Sequence, residues 1–394
     1  MSPSTSYFIL MIGYRQQLAK TLYKMAIPYS IVTEKPVKTP PAGVDEVVIM
    51  PFAQIDKALN VNDLNSNGLK LKNTPSHVIA GTESGVFPAA VLRRIFNARR
   101  SSKALLNRCT DKMAMKEYLS DHDIPMAGFV THRKGVTAES LVKKLGLPVV
   151  VKDRKNSGGR NVVIAKTVAE LHPLLATQRL YEQYINAAEG SIESFIENGE
   201  IIFASITEYH TNKVANIVPA GYPPDEIKAI RSLNVQVIKS LNIKWGLTHL
   251  EYYRDKKATL FGEVALRPPG GYIMELIKCA YDFDPWEVFV KIELGLPVDK
   301  LPSEPVRACG AVLLHPGAGI VKAVSLPNKT DYPTLTKATI KVNKGDPIKP
   351  RDGVGESVGH CFFCAQQYSD VKDDIDRMCH HSPVQIESGD RLKS

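Results

Sequence analysis

The sequence has no long hydrophobic run, since no stretch approaches the roughly 18 to 20 consecutive apolar residues that cross a membrane. The apolar start, residues 6–13, lacks a basic segment and a small-residue cleavage site, and it predicts a buried strand rather than a signal peptide. Cysteine is scarce, with 6 residues in 394, which does not make a disulfide framework. These absences predict a cytoplasmic protein with no membrane partner.

Acidic residues are fewer than basic ones, 41 against 50, so the net charge is +9. Such an excess can indicate nucleic acid, an anionic membrane surface or anionic substrates. The basic residues are dispersed, however, and do not alternate with aromatic residues as in a groove for single strands. The preferred interpretation is a solvated surface with an anionic nucleotide site, and no nucleic-acid partner is expected.

No fixed-period repeat or low-complexity tract is present, and the length predicts two or three domains. Residues 1–105 alternate short apolar runs with helical segments, which predicts βα units and a parallel sheet. Its strands are expected at 7–12, 29–33, 46–50 and 77–80. Ligands of parallel sheets bind at the carboxyl ends of the strands, so Glu83 is a candidate substrate residue. A helix N-cap region is the alternative interpretation of Glu83.

Two acidic residues, Glu251 and Glu263, lie in strand-like runs joined by the polar stretch 254–257, which is typical of a hairpin turn. Antiparallel strands can place two such carboxylates side by side, where Mg²⁺ relieves their repulsion. Arg267 offers a bidentate donor for a carboxylate or phosphate, and Gly270-Gly271 follows it. The group suggests phosphoryl chemistry, with a surface hairpin and incidental acidic residues as the alternative.

Upstream segments have features of a nucleotide site. Lys152 ends an apolar strand, so its stem can be buried while its ammonium faces a cleft. The loop 157–159 contains two glycines, whose positive-φ geometry can bring backbone N–H groups close to phosphates, although such a loop alone is more often just a turn. The segment 182–185 can present backbone groups to an adenine edge, and Glu189 can accept from ribose hydroxyls. An interdomain strand with a solvated glutamate is the alternative.

Taken in order with Asp111-Lys112, these segments resemble the ATP-grasp superfamily over nearly the whole chain. Within it, the runs at 246–251 and 263–271 are similar to carboxylate–amine ligases that join amino acids, the L-amino acid ligase or dipeptide synthase type. The resemblance implies an α/β and α+β protein with the ATP-grasp fold. Its parts would be a Rossmann-like parallel-sheet domain at 1–105, a catalytic core at 106–305 with a small lobe at about 125–190, and a small lid-like C-terminal segment at 306–394.

The resemblance also implies site residues, ATP as the nucleotide and Mg²⁺ as the metal, with Mn²⁺ as an alternative. The ATP-binding residues would be Lys112, Lys152, Ser157, Gly158, Gly159, Glu182, Tyr184, Ile185 and Glu189. The metal ligands would be Glu251 and Glu263, the catalytic residues Arg267 and His249, and the substrate-binding residues Glu83, Arg267, Gly270 and Gly271. Many relatives carry Asn where this chain has Ala265, which leaves two protein carboxylates, phosphates and water around the metal. A packed core histidine is the alternative for His249.

The predicted function is therefore an ATP-dependent ligase that joins a small carboxylate and a small amine through an acyl phosphate. A bicarbonate-activating ATP-grasp carboxylase, a non-catalytic nucleotide-binding module and a nucleic-acid binder are the alternatives. Dimers are common in the superfamily, so a homodimer is compatible with the resemblance. The identities of the two substrates are not predicted.

The C-terminal group of His360, Cys361, Cys364 and the run Cys379-His380-His381 includes a Cys-x-x-Cys spacing, which can indicate zinc. The stretch around it reads as a strand, however, in which residues three apart point to opposite faces. Buried thiols are therefore the preferred prediction.

Overall fold

The computed structural model describes residues 7–133, 135–155, 158–211, 214–254, 258–353 and 355–388. Its N-terminal part is a parallel sheet in the order β3-β2-β1-β4, which confirms the predicted parallel arrangement. The strands are β1 (Ile9–Ile12), β2 (Tyr29–Thr33), β3 (Val44–Ile49) and β4 (His77–Ala80). The helices that accompany them are α1 (Gln16–Lys24), α2 (Phe52–Asp56), α3 (Val61–Ser66) and α4 (Val86–Ile95), with a 3₁₀ turn at Glu83–Gly85 before α4.

Strand β1 is buried on both faces. Ile9 and Met11 belong to one hydrophobic core, while Leu10 and Ile12 belong to another, as the alternation of side chains along a strand requires. A parallel sheet covered on both sides leaves its carboxyl edge as the place where loops can form a site. The 3₁₀ turn with Glu83 lies at that edge.

A second, four-stranded antiparallel sheet has the order β5-β8-β6-β7. Its strands are β5 (Phe129–Thr131), β6 (Val149–Asp153), β7 (Val163–Ala165) and β8 (Arg179–Gln183). The helices before and within this part are α5 (Lys103–Arg108), α6 (Lys112–Ser120), α7 (Ala138–Leu145) and α8 (Val168–Leu171), followed by a 3₁₀ turn at His172–Leu174. Leu141 and Leu145 of α7 pack on Val149 and Val151, which gives this sheet a core of its own.

The largest sheet is antiparallel and has the order β13-β12-β9-β10-β11-β14-β18-β16. Its strands are β9 (Ala188–Glu197), β10 (Glu200–His210), β11 (Ala215–Val218), β12 (Gly246–Arg254), β13 (Thr259–Ala265), β14 (Ala308–Leu314), β16 (Leu335–Ile340) and β18 (Gly359–Ala365). The accompanying helices are α9 (Pro224–Ser240), α10 (Ile273–Tyr281), α11 (Pro285–Leu294) and α12 (Tyr368–His380). Strands β14, β16 and β18 thus continue the sheet of residues 188–265 into the C-terminal segment.

The other C-terminal strands form a three-stranded sheet in the order β17-β15-β19. They are β15 (Gly319–Val324), β17 (Pro347–Ile348) and β19 (Val384–Ser388). Within the described ranges, no helix is long and apolar enough to cross a membrane.

The cysteines differ in part from the expected set of buried thiols. Cys309 of β14 and Cys364 of β18 face each other in the strand register and form a disulfide, with their Cα atoms 4.2 Å apart. The prediction of a free thiol at Cys364 is therefore wrong, because the pairing of two strands distant in sequence brings it opposite Cys309. Cys361 remains a buried free thiol in a different core, between the sheet and α12.

Candidate functional site

The two predicted metal ligands lie opposite each other. The register of β12 and β13 pairs Glu251 with Glu263, and cross-strand neighbours place their side chains on the same face of a sheet. A bulge at Gly262 follows this pair, and a Cβ there would lie 2.9 Å from the Glu251 carbonyl oxygen. The prediction that these strands bring both carboxylates together is confirmed. Residues 255–257 of the predicted turn lie outside the described residues.

Lys112 brings a positive charge to this pair. Its ammonium lies 2.8 Å from the Glu263 carboxylate, across 151 positions of sequence. Lys112 is the first residue of α6, whose N-cap, Asp111, accepts hydrogen bonds from the backbone of Met113 and Ala114. The cap fixes where the helix begins and therefore where Lys112 points.

His249, the second predicted catalytic residue, is buried behind Glu251. Its Nδ1 lies 2.7 Å from a Glu193 oxygen, and its Nε2 lies 3.5 Å from Glu251. Burial opposes the charged imidazolium, but hydrogen bonds to Glu193 and Glu251 and their negative charges outweigh it and raise the pKa of His249 to about 9. His249 is therefore a cation at neutral pH that acts on Glu251.

Glu193 is fully buried and makes three short contacts: with His249, with the Ser191 hydroxyl at 2.7 Å and with the Thr207 hydroxyl at 2.6 Å. On the other side of His249, the Tyr209 hydroxyl donates to Glu251 over 3.3 Å. Burial, together with the charges of Glu251 and Glu193, holds the pKa of Tyr209 well above its usual value, so it stays a donor. Neither Glu193 nor Tyr209 was expected to belong to the site.

Arg267 and Glu83 are brought together from two different sheets. The Arg267 Nε pairs with the Glu83 carboxylate, and its Nη1 donates to the Pro268 carbonyl oxygen over 2.8 Å. Burial opposes the charge of Arg267, but Glu83 and, at longer range, Glu263 and Glu251 raise its pKa. The structure thus joins a predicted substrate residue to a predicted catalytic residue, a contact that their spacing in sequence does not reveal.

The glycines that follow Arg267 form a tight turn before α10. Gly271 has φ +60°, and a Cβ there would collide with the Asn216 amide, which donates to the Gly271 carbonyl oxygen over 2.8 Å. The Gly270 carbonyl oxygen accepts from the Ile273 backbone at 3.2 Å. The turn therefore lies close to the β11 strand and needs glycine at 271.

Lys152 and Glu182 form part of a buried ion cluster. The Glu182 carboxylate lies 2.5 Å from the Lys152 ammonium and 2.6 Å from that of Lys116. Because this carboxylate is paired with two lysines, only the backbone of residue 182 could contact adenine. Lys116 was not predicted, although it lies one helical turn after Lys112 on α6, a spacing that places both on one face.

The remaining predicted nucleotide residues lie on the connection from β8 to β9, at the start of β9 and on the loop between β6 and β7. Tyr184 and Ile185 connect β8 to β9, with Tyr184 exposed, and Glu189 lies opposite Tyr253 near the start of β9. Gly158 and Gly159 both have positive φ, as predicted for that loop. Ser157 lies outside the described residues. The charge of Glu263 acts on Lys152, which places the buried ion cluster within electrostatic reach of the Glu251–Glu263 pair.

Comparison with known proteins finds a matching domain and relatives. The family model of the ATP-grasp domain matches residues 117–279. The L-arginine-specific L-amino acid ligase of Bacillus subtilis is 22% identical over 316 residues, which cover 75% of this chain and 76% of that protein. Residues 117–279 form an ATP-grasp domain. The chain is an enzyme of the ATP-grasp ligase type.

Solved structures show the same fold at low sequence identity. The L-amino acid ligase from Bacillus licheniformis superposes with a TM-score of 0.79 at 16% identity, covering 97% of this chain and 98% of that one. The N5-carboxyaminoimidazole ribonucleotide synthetase from Thermotoga maritima gives 0.72 at 19% identity, covering 96% and 99%. The ATP-grasp fold is thus shared by nearly the whole chain.

The ion cluster of this ATP-grasp enzyme predicts a measurable acid sensitivity. Burial disfavours the Glu182 carboxylate, but Lys116 and Lys152 outweigh it and lower the pKa from 4.5 to about 2. Because the pKa of Glu182 is lower in the folded protein than its unfolded value of 4.5, the ionised carboxylate stabilises the fold above pH 4.5. This stabilisation is lost as the pH falls toward 2. We expect Glu182→Gln to reduce the free energy of unfolding at pH 7 by about 2–3 kcal/mol, the contribution of hydrogen bonds to a charged group.

Urea unfolding of the Glu182→Gln variant between pH 7 and pH 3 measures this effect. The variant should also lose less stability than the wild type as the solution is acidified. Glu200→Gln, at an exposed position of β10, is the control and should match the wild type. Equal acid profiles for wild type and Glu182→Gln would contradict the assigned cluster.

Proposed function

We propose that this enzyme joins the carboxylate of one small amino acid to the amine of another, through an acyl phosphate, with ATP converted to ADP and phosphate. The observation that carries the proposal is the Arg267–Glu83 pair beside the opposed Glu251 and Glu263. A guanidinium next to a carboxylate matches both ends of an amino acid, since Arg267 can bind its carboxylate and Glu83 its ammonium.

The residues present fit a magnesium ion. Glu251 and Glu263 supply two hard oxygen ligands on one face of the sheet, and Mg²⁺ in nucleotide sites takes one or two carboxylates and completes its shell with phosphate oxygens and water. Such an ion, when bound with ATP, neutralises phosphate charge. The charged His249 behind Glu251 and the Tyr209 hydroxyl beside it fix the orientation of that carboxylate, so both act as positioning residues.

In the first step, an oxygen of the substrate carboxylate attacks the γ-phosphorus of ATP, the bond to the β-phosphate oxygen breaks, and ADP leaves. Lys112 and Lys152 would bind the phosphates, and without ATP each ammonium pairs with a carboxylate, Lys112 with Glu263 and Lys152 with Glu182. Their ammonium groups would exchange part of their present carboxylate contacts for phosphate oxygens. Gly158 and Gly159 can cover the phosphates with backbone N–H groups and exclude water from the acyl phosphate.

In the second step, the amine of the other substrate attacks the acyl carbon, and a tetrahedral oxyanion forms. The Arg267 guanidinium would donate to that oxyanion, together with backbone N–H groups near Gly270 and Gly271. Phosphate then leaves as the amide bond forms, and the amine loses a proton. Arg267 would thus bind the substrate carboxylate in the first step and donate to the oxyanion in the second.

A bicarbonate-activating reaction is the second candidate. It is favoured by the fold shared with N5-carboxyaminoimidazole ribonucleotide synthetases. The Glu83 carboxylate at Arg267 argues for an ammonium-bearing substrate instead, because bicarbonate offers no positive group to it. ADP release that depends on bicarbonate and requires no amino acid would decide for the carboxylase.

A screen of amino-acid pairs tests the proposal directly. Each of the twenty amino acids is supplied alone and in pairs with ATP and Mg²⁺, and released phosphate and the condensed product are both measured. Phosphate release that needs two amino acids, with a dipeptide as product, supports the ligase. Phosphate release without any dipeptide, for every pair, would contradict it. A homodimer and a cytoplasmic location stay predictions.

A further inference from the structure

A surface pocket lies where the chain passes from the N-terminal sheet to the ATP-grasp domain, and none of the proposed steps uses it. Its volume of about 380 Å³ falls within the roughly 300–1,000 Å³ that is typical of sites for small molecules. It is formed by side chains of residues 100–108, by Tyr118 of α6 and by the connection between α9 and β12. Among the described residues that line it, none was predicted to bind the nucleotide, the metal or the substrates.

The pocket carries three positive charges, and its lining, as far as the structure describes it, includes no carboxylate. Arg100 and Lys244 are exposed, and Arg108 is half-buried. None of the three forms an ion pair with another described residue. Because like charges that line a concave surface add to one positive potential, the pocket favours an anion with more than one negative charge.

Arg108 is held in place by an aromatic ring. Its guanidinium carbon lies 3.4 Å from the centre of the Tyr118 ring. Tyr118 is itself fixed, since its hydroxyl donates to the Ser240 carbonyl oxygen over 2.9 Å. Stacking on a ring occupies the face of a guanidinium and leaves the N–H groups in its plane available. Such a planar group can donate to two oxygens of one phosphate.

The pocket also has an apolar part. Leu105 and Leu241 are buried, and the Trp245 ring lines the pocket with them. The Arg99 guanidinium lies over the Trp245 ring, 4.2 Å from its centre, and this contact orients the ring. Cations and an apolar surface in one pocket suit a ligand that has an anionic group and an apolar body.

We propose that this pocket binds a phosphorylated small molecule with an apolar body, at a site separate from the catalytic residues. A phosphate monoester carries about 1.5 to 2 negative charges at neutral pH and has three acceptor oxygens, so it matches three cations better than a single carboxylate does. The apolar body packs on Leu105, Leu241 and Trp245. This binding does not depend on which bond the enzyme forms.

The fluorescence of Trp245 measures the binding. The chain has two tryptophans, so the Trp286→Phe variant reports Trp245 alone. The probe is phenyl phosphate, with inorganic phosphate for comparison, and both are added at saturating ADP and Mg²⁺. We expect a Kd for phenyl phosphate at least about 10-fold lower than that for inorganic phosphate, because its ring buries apolar surface. Equal Kd values would assign the pocket to free phosphate and overturn the phosphate-ester ligand.

The variant Arg100→Gln/Lys244→Gln, made in the same Trp286→Phe protein, removes two exposed cations of the pocket. We expect its Kd for phenyl phosphate to rise at least about 10-fold, the effect of losing charge-assisted hydrogen bonds. The matched control is Lys228→Gln/Arg231→Gln, which removes the same charge from exposed positions of α9 and should keep the Kd within about twofold. An unchanged Kd in the pocket variant would overturn the site.

Two further results separate this pocket from the nucleotide site. The fluorescence response to phenyl phosphate should be the same with and without saturating ADP. The affinity of Arg100→Gln/Lys244→Gln for ATP, measured by calorimetry, should equal that of the wild type. A response that ADP abolishes, or a pocket variant that loses affinity for ATP and phenyl phosphate together, would place the probe at the nucleotide site and overturn a second site.

Discussion

We expect Glu263→Gln to reduce kcat by at least about 10³-fold while the protein stays folded. Glutamine has the shape of glutamate but no charge, and it is a much poorer ligand for a hard cation such as Mg²⁺. Glu263 lies opposite Glu251 and 2.8 Å from the Lys112 ammonium, so its loss also removes the partner of that lysine. Both changes affect the charge balance around the transferring phosphate, where electrostatic stabilisation is the main source of catalysis.

The measurement is kcat as a function of Mg²⁺ concentration, with circular dichroism to confirm folding. Glu287→Gln is a suitable control, because this glutamate lies on α11 and its contacts are with lysines of the surface. A Glu263→Gln enzyme that regains wild-type kcat at high Mg²⁺ would show that the residue tunes metal affinity only. Wild-type kcat at ordinary Mg²⁺ would remove Glu263 from the site.

The sequence allowed the strands and the carboxylate pair to be predicted because their signals are local. Glu251 and Glu263 lie within thirteen positions on two adjacent strands. The alternation of side chains along a strand and the short connection between β12 and β13 therefore determine that they meet. The positive φ of Gly158 and Gly159 follows from residue type in the same way. The local sequence pattern is sufficient to predict a pair of residues when both lie on neighbouring strands.

The pairs that define the site chemistry could not be predicted, because they depend on how separate sheets pack. Arg267 and Glu83 are 184 positions apart, and their contact requires the parallel sheet to lie against the large one. Glu193 sits in a buried stretch of β9, and only its contact with His249 explains an acidic residue there. Cys309 and Cys364 likewise meet only because β14 pairs with β18.

The Arg267–Glu83 contact leads to the second large expected effect: Arg267→Lys should lower kcat by about 10²–10³-fold, although the charge is kept. The guanidinium holds Glu83 through Nε and the Pro268 carbonyl oxygen through Nη1, so its plane is fixed before substrate arrives. A lysine ammonium is a point donor on a flexible stem and cannot make these contacts and also present two parallel N–H groups to a carboxylate. The affinity for ATP should barely change, because Lys112 and Lys152 are the proposed phosphate-binding residues.

Two measurements on the same protein separate the possible roles of Arg267: ATP affinity by calorimetry and kcat by product formation. Arg377→Lys is the matched control, an arginine that also pairs with a carboxylate, Asp374, but on α12. The Arg377→Lys variant should keep the wild-type ATP affinity and the wild-type kcat. If Arg267→Lys keeps full kcat, Arg267 only supports the turn at Pro268. If it loses ATP affinity instead, the residue belongs to the phosphate site, and the substrate carboxylate must bind elsewhere. A loss of kcat with unchanged ATP affinity is the result that places Arg267 at the reacting carboxylate.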